Sequence, residues 1–71
     1  MNKHIIRKEK TLLDALSQIN NLAPEPLVLF VVDDEGRMVG TLTDGDSRRA
    51  LIAGASVLDT AEQVMHRNFN Y

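Results

Sequence analysis

The ten residues Gly40-Thr41-Leu42-Thr43-Asp44-Gly45-Asp46-Ser47-Arg48-Arg49 hold most of this chain's capacity for chemistry. An extended run ending at Thr43 meets a tight turn, and helix-compatible residues follow from Ser47 to Ala53. The first N–H groups of a helix have no intrahelical partner, and the helix dipole adds partial positive charge there, so such an end is a natural phosphate seat. The Thr43 hydroxyl has a donor for a phosphate oxygen, the Asp46 carboxylate accepts both hydroxyls of a ribose diol, and Arg48 and Arg49 supply counter-charge. Each residue type suits one part of a nucleotide, although the spacing is neither a Walker loop nor a dinucleotide fingerprint. The same residues also fit a plainer role. Asp44 and Asp46 are both good N-caps, Thr43 is a common strand residue, and paired arginines near a helix start are often only solvated.

Other candidate chemistry is thinner. Asp33, Asp34, Asp44, Asp46 and Asp59 fall at separate turns, where capping and local hydrogen bonding already account for them, so no metal site is expected. His66 has no visible acid or base partner, and His4 lies far from it without ligand spacing. The chain has no cysteine, which excludes disulfides and thiolate zinc sites. No nucleophile–base pair stands out, so no catalytic residue is assigned.

The elements that must position the Gly40–Arg49 segment can be read in order. Ile5-Ile6 is long enough only for a brief strand. Thr11 is placed to cap a helix with Asp14 three residues on, and Leu12, Ala15, Leu16, Ile19 and Leu22 or Ala23 then share one helical face. Pro24 and Pro26 stop that helix. Leu27 to Val32 is a continuous apolar run rich in strand formers, and it predicts a strand buried on both faces. Asp33-Asp34-Glu35-Gly36 is turn chemistry joining it to a second strand, Met38 to Thr43, in an antiparallel hairpin. After the Ser47–Ala53 helix, Gly54 offers a C-terminal stop, and Asp59-Thr60 caps a last short helix carrying Val64 and Met65. The fold class is α+β, in the order β-α-β-β-α with a trailing helix.

The chain has 71 residues and a mass of 7.9 kDa, enough for one domain at most. A chain of this mass buries roughly 7,000 Å² on folding. If about 60% of that is apolar, at ~25 cal/mol per Å² it is worth on the order of 105 kcal/mol, about equal to an ordering cost of ~1.5 kcal/mol per residue. Without disulfides or a metal staple, a partner chain or a larger host protein is the expected source of the missing stability. Hydrophobic residues at 44% and charged residues at 25% are ordinary for a globular domain. A net charge of −2, with Phe30, Phe69 and Tyr71 the only aromatics, argues against a dedicated nucleic-acid binder. No stretch reaches the ~20 apolar residues of a membrane span, and Met1-Asn2-Lys3-His4 is not followed by a signal-peptide core, so no membrane association and a cytoplasmic location are expected.

Gly40-Thr41-Leu42-Thr43-x-x-Asp46 resembles the signature of the CBS domain, a motif of roughly sixty residues named after cystathionine β-synthase. Thr11-Leu12-Leu13-Asp14-Ala15-Leu16 is similar to that family's first helix, and Val31 through Gly40 to its hairpin. The resemblance runs from about Ile5 to Gly54. The longer string Leu42-Thr43-Asp44-Gly45-Asp46-Ser47-Arg48-Arg49 resembles CBS domains attached to bacterial sugar-nucleotide transferases and sugar-phosphate isomerases, with Ser47 standing where those carry an apolar residue. The resemblance implies a single motif over residues 1–71, with a core at about 5–54, and residues 55–71 as a linker helix toward an absent second motif.

It also implies ligand sensing by paired motifs. Asp46 would contact ribose, Thr43 ribose or phosphate, and Ile5, Ile6, Leu27 and Val28 would wall a base. Arg48 and Arg49 complete that ligand set. Leu12, Ala15, Leu16, Ile19, Ala50 and Leu51 would form the pairing surface of a homodimer or of a contact with a second CBS motif. No cofactor is required, and AMP, ADP, ATP or S-adenosylmethionine is the expected regulatory ligand for an attached enzyme domain. A pure assembly module without ligand and a small metal-dependent phosphate hydrolase are the alternatives.

Overall fold

The computed structural model describes residues 3–67. The elements are β1 (Ile5–Arg7), α1 (Leu12–Asn20), β2 (Val28–Val32), β3 (Met38–Thr43), α2 (Asp44–Ile52) and α3 (Ala61–Val64), the expected order. Thr11 caps α1 as its sequence implies. Its hydroxyl accepts from the Asp14 N–H at 3.2 Å, and the Asp14 carboxylate accepts from the Thr11 N–H at 3.2 Å. The helix stops at Asn20, yet Leu22 in the following turn is still fully buried, so the apolar stripe outlasts the helix.

The sheet has the order β1-β2-β3, with β1 parallel to β2 across the α1 connection and β2 antiparallel to β3 in the hairpin. Gly36 sits in the hairpin turn at φ +80°, a conformation that favours glycine. Asp33 organises this turn by accepting from the backbone N–H groups of Glu35 and Arg37 at 2.9 and 3.0 Å. At the open edge of β1, the Gln18 side chain donates to the carbonyls of Lys3 and Ile5, both at 2.8 Å, and so occupies acceptors that another strand would seek.

One face of the sheet carries the core. Ile6, Leu29, Val31 and Leu42 pack with Leu12, Ala15 and Ile19 of α1 and with Ala61 and Met65. The opposite face has no helix to cover it. Ile5, Phe30 and Thr41 form one row across that face, and Arg7, Val32 and Met38 a second, beside a register shift at Val31/Val32. The expectation that Leu27–Val32 is buried on both faces is therefore corrected: Leu29 is fully buried, whereas Phe30 is 38% exposed and Leu27, outside the strand, 40%. The run is continuously apolar although only one side meets the core.

Two further expectations change. The packed unit does not stop near Gly54. Leu12 and Leu13 donate their N–H groups to the carbonyls of Asp59 and Val57, and Ala61 donates to Lys10, which ties residues 57–61 to the start of α1. Met65 follows α3 and packs into the core, and His66 pairs with Thr41 at the edge of β3. Residues 55–67 are thus part of the motif and contain only a four-residue helix, while residues 68–71 of the expected linker, with Phe69 and Tyr71, lie outside the described residues, as do Met1 and Asn2. Ser47, the departure from an apolar position, is fully buried, and its hydroxyl donates to the Thr43 carbonyl at 3.0 Å. A buried hydroxyl satisfied in this way does not hinder packing.

The Met65 contact explains Gly40. A Cβ at that position would meet Met65 Sδ, lie 2.7 Å from Met65 Cγ and lie 3.0 Å from the His66 carbonyl oxygen. Gly40→Ala should therefore lower unfolding free energy by about 1–3 kcal/mol through overpacking. Urea titration of the variant checks this, and an unchanged midpoint would show that the 61–66 segment yields freely.

The Asp33 carboxyl is held below its ordinary value of 3.8, first by the Arg37 backbone N–H; partial burial opposes this, and the Glu35 N–H and the Arg37 guanidinium reinforce it. A depressed folded-state value stabilises the fold above 3.8, and that contribution disappears as pH falls through the folded value. Denaturant midpoints should decline as pH is lowered below about 4, and Asp33→Asn should flatten part of that decline.

Candidate functional site

The junction between β3 and α2 is built as a capping box. The Thr43 hydroxyl accepts from the Asp46 N–H at 3.0 Å, while Asp46 Oδ2 accepts from the Thr43 N–H at 3.2 Å. Both residues of the sequence signature therefore have a structural duty at the start of α2. Asp44 donates its N–H to the Leu27 carbonyl at 3.1 Å, which fixes this helix start against the chain entering β2. Val28 and Thr43 are register partners across the hairpin.

Charges at this end are paired locally. Arg49 Nη2 donates to Asp46 Oδ1 at 2.7 Å, and Arg48 Nε lies 3.1 Å from Asp44 Oδ2. Burial alone would raise the Asp46 carboxyl, but the Thr43 backbone N–H, the Arg49 guanidinium and the Thr43 side chain together hold it below its ordinary value. Asp46 is thus a carboxylate at neutral pH, with its side chain 21% exposed. Asp46 Oδ1 accepts from Arg49 and Oδ2 from the Thr43 N–H, and the Thr43 side chain acts on the same carboxylate. A carboxylate oxygen can accept more than one such bond.

This arrangement revises the expected phosphate seat. Two of the first backbone donors of α2, those of Asp44 and Asp46, are already engaged, and the carboxylates of the same two residues stand at that helix end. An incoming anion would be received by the arginines. Both are more than 70% exposed, and exposed ion pairs of this kind are worth about 0–1 kcal/mol, so either arginine can exchange partners.

The eight residues expected at the ligand do not share one cavity. A groove of about 370 Å³ between the helices and the start of β2 is lined by Leu16, Asn20, Leu27, Asp44 and Arg48. A larger groove of about 640 Å³ runs along β1 and α1, with Ile5, Ile6, Lys10, Gln18 and Leu22 among its walls. Ile6 is only 4% exposed and packs mainly into the core, while it also lines the larger groove beside Ile5. Ile5, Val28 and Thr43 do share the uncovered sheet face, and Thr43 is the last residue of β3 before α2 begins. Phe30 lies on the same uncovered face and Asp44 lines the smaller groove, and neither was among the expected residues. Leu27–Val32 is apolar throughout, so no polar alternation marked Phe30.

The expected pairing surface also needs correction. Leu12, Ala15 and Ile19 are 0–2% exposed and are consumed by the chain's own core. Leu16, Ala50 and Leu51 remain half-buried, with Leu16 and Leu51 packed against the core margin. Among the described residues, no group of three His, Asp or Glu side chains is placed to hold a metal, and no helix is long and apolar enough to cross a membrane.

No family model and no curated protein matched this sequence. Solved structures did. A CBS-domain-containing protein from Agrobacterium tumefaciens superposes with a TM-score of 0.80 at 18% identity, over 93% of this chain and 49% of that one. Another CBS-domain structure matches with a TM-score of 0.71 at 26% identity, over 94% of this chain and 52% of its own. In GMP reductase from Trypanosoma brucei the match covers 89% of this chain but only 14% of the enzyme, with a TM-score of 0.69 at 24% identity. The chain thus spans about half the length of the CBS-domain structures it matches. A three-stranded β-α-β-β-α sheet with helices on one face, entered through a strand-to-helix turn at Thr43–Asp46, is here the fold of a single CBS motif.

Proposed function

We propose that this chain is a regulatory binding module. It pairs through the uncovered face of its sheet with a second CBS motif, and it takes an adenosine nucleotide or a related ribose-bearing ligand where that face ends at Asp46. The observation that carries the reading is the face itself: Ile5, Phe30 and Met38 are 42%, 38% and 50% exposed, and α2, with the Asp46 carboxylate in its first turn, starts directly after β3. A half-covered sheet of three strands exposes apolar area that a second motif would bury. Pairing through the sheet replaces the helical surface read from the sequence, because that helical stripe is spent on the core.

An attached catalytic domain is part of this proposal. The GMP reductase match supports it, since there the matched region is a small part of a much longer enzyme. The resemblance of Leu42–Arg49 to motifs joined to sugar-nucleotide and sugar-phosphate enzymes supports that class of host. A second reading, a pure assembly module, is favoured by the capping box, which gives Thr43 and Asp46 a sufficient role without any ligand.

Pairing is tested by Phe30→Lys. The side chain lies outside the core cluster, so the variant should remain folded while a charge enters the paired face. Sedimentation at micromolar concentration should show a dimer for the parent chain and a monomer for the variant. A parent chain that stays monomeric and folded at high micromolar concentration would remove the homodimer.

Ligand binding is tested by calorimetry on the paired protein with AMP, ADP, ATP and S-adenosylmethionine. Asp46→Asn keeps a capping side chain but removes the charge, and should weaken binding about tenfold or more. Absence of heat with all four compounds, with pairing intact, would leave the assembly module as the correct reading.

A further inference from the structure

The groove along β1 and α1 lies at the sheet edge opposite β3, and neither Thr43, Asp46 nor Arg49 lines it. At about 640 Å³ it has the size of a small-molecule site. Ile5, Ile6 and Leu22 give it apolar walls, and its charged walls are Lys3, Arg7 and Lys10 against one carboxylate, Asp14. Three of those four charges are already engaged. Lys3 pairs with Glu25, and Arg7 with Glu9 and Asp34. Asp14 Oδ2 accepts from the Thr11 N–H and hydroxyl at 3.2 and 3.1 Å. Lys10 differs: among the described residues its ammonium enters no ion pair. Its backbone is nonetheless fixed, the N–H by the Arg7 carbonyl at 3.1 Å and the carbonyl by the Ala61 N–H at 2.6 Å.

The backbone of β1 adds a second selection. His4 bonds to β2 through its carbonyl and Lys8 through its N–H, so in this parallel pairing the peptide groups of Ile5 and Arg7 point to the open edge. Gln18 occupies the Lys3 and Ile5 carbonyls, and the Arg7 carbonyl takes the Lys10 N–H. What β1 presents on this side is therefore its donors, the N–H groups of Ile5 and Arg7. An added strand needs donors and acceptors in alternation, whereas an anion needs donors alone.

We propose that this groove binds a small organic carboxylate with an apolar body. The head group sits at the Lys10 ammonium and the Arg7 N–H, which the bond between their backbones places side by side, and the body lies along Ile5, Ile6 and Leu22. The site is independent of pairing through the sheet and of any ligand at Asp46.

Amide NMR on the labelled parent chain reads this directly, with octanoate, 1-octanol and octylammonium as one apolar body carrying three head groups. Octanoate should shift the Ile5 and Arg7 amide resonances and saturate. 1-Octanol should bind about fivefold or more weakly, and octylammonium should not saturate. Lys10→Gln should weaken octanoate to about the level of 1-octanol. Arg37→Gln, which removes an equal charge from the hairpin outside the groove, should leave octanoate affinity unchanged. Both side chains are exposed, and the dispersion of the same spectra verifies that the variants are folded. Equal shifts with all three probes, or equal weakening by Lys10→Gln and Arg37→Gln, would overturn the anion selectivity. Octanoate shifts confined to Phe30, Thr41 and Met38, or no saturable shift up to about 10 mM, would remove the site itself.

Discussion

A three-stranded sheet has two faces, and this chain has helices for one of them. The strands are three, five and six residues long, so no curvature or closure can fold the second face inward. The helices divide their work on the covered side. α1 supplies the larger apolar surface, α2 contributes buried Ser47 and the half-buried Leu51, and α3 with Met65 closes the edge beside β3. Every position that later matters for function follows from this one-sidedness. Residues pointing to the helices become core, and of those pointing away Ile5, Phe30 and Met38 stay exposed although Val32 is buried.

The β3–α2 junction is economical for the same reason. A strand that ends in the sheet and a helix that starts immediately need a residue pair able to terminate one and cap the other. Thr43 and Asp46 do both, and Gly45 between them leaves room for Arg49. The helix start is neutralised by carboxylates, so its residual binding capacity is hydrogen-bond acceptance by Asp46 rather than donation by bare backbone N–H groups. In the proposed site, hydroxyls would be taken by Asp46 and anions by the arginines, which moves the phosphate chemistry of a helix N-terminus onto side chains.

Much of this was legible in the residues. Element order followed from the Thr11 and Thr60 caps, the proline stop after α1, the Asp33–Gly36 turn and the apolar spacing of Leu12, Ala15 and Ile19. The capping partner of α2 was less clear, because Asp44 and Asp46 are as suitable as Thr43 by type and only the backbone geometry chooses between them. The two faces of Leu27–Val32 were hidden because an exposed face reserved for apolar contact has the same composition as a buried one. Residues 57–66 were misread for a different reason. Besides the core packing of Ala61 and Met65, their ties to the chain are backbone bonds at Leu12, Leu13, Ala61 and His66, and backbone bonds leave no trace in side-chain type. Gly40 did carry a signal, but its meaning depended on Met65, twenty-five positions away.

The same uncovered face is the proposed place both of pairing and of ligand contact, and this has a thermodynamic consequence. A ligand seated at Asp46 with its body over Val28 and Phe30 would touch whatever covers Ile5 and Met38, so its affinity differs between the paired and unpaired chain. Any such difference obliges ligand and pairing to reinforce or oppose each other by the same factor. With the sheet's outer rows only partly shielded, small changes in how the partner sits alter the area buried at Phe30 and the access to Asp46 together. A thin motif that gains stability from its partner is for that reason also a sensitive one: the free energy that holds the pair is of the same order as the free energy a small ligand brings.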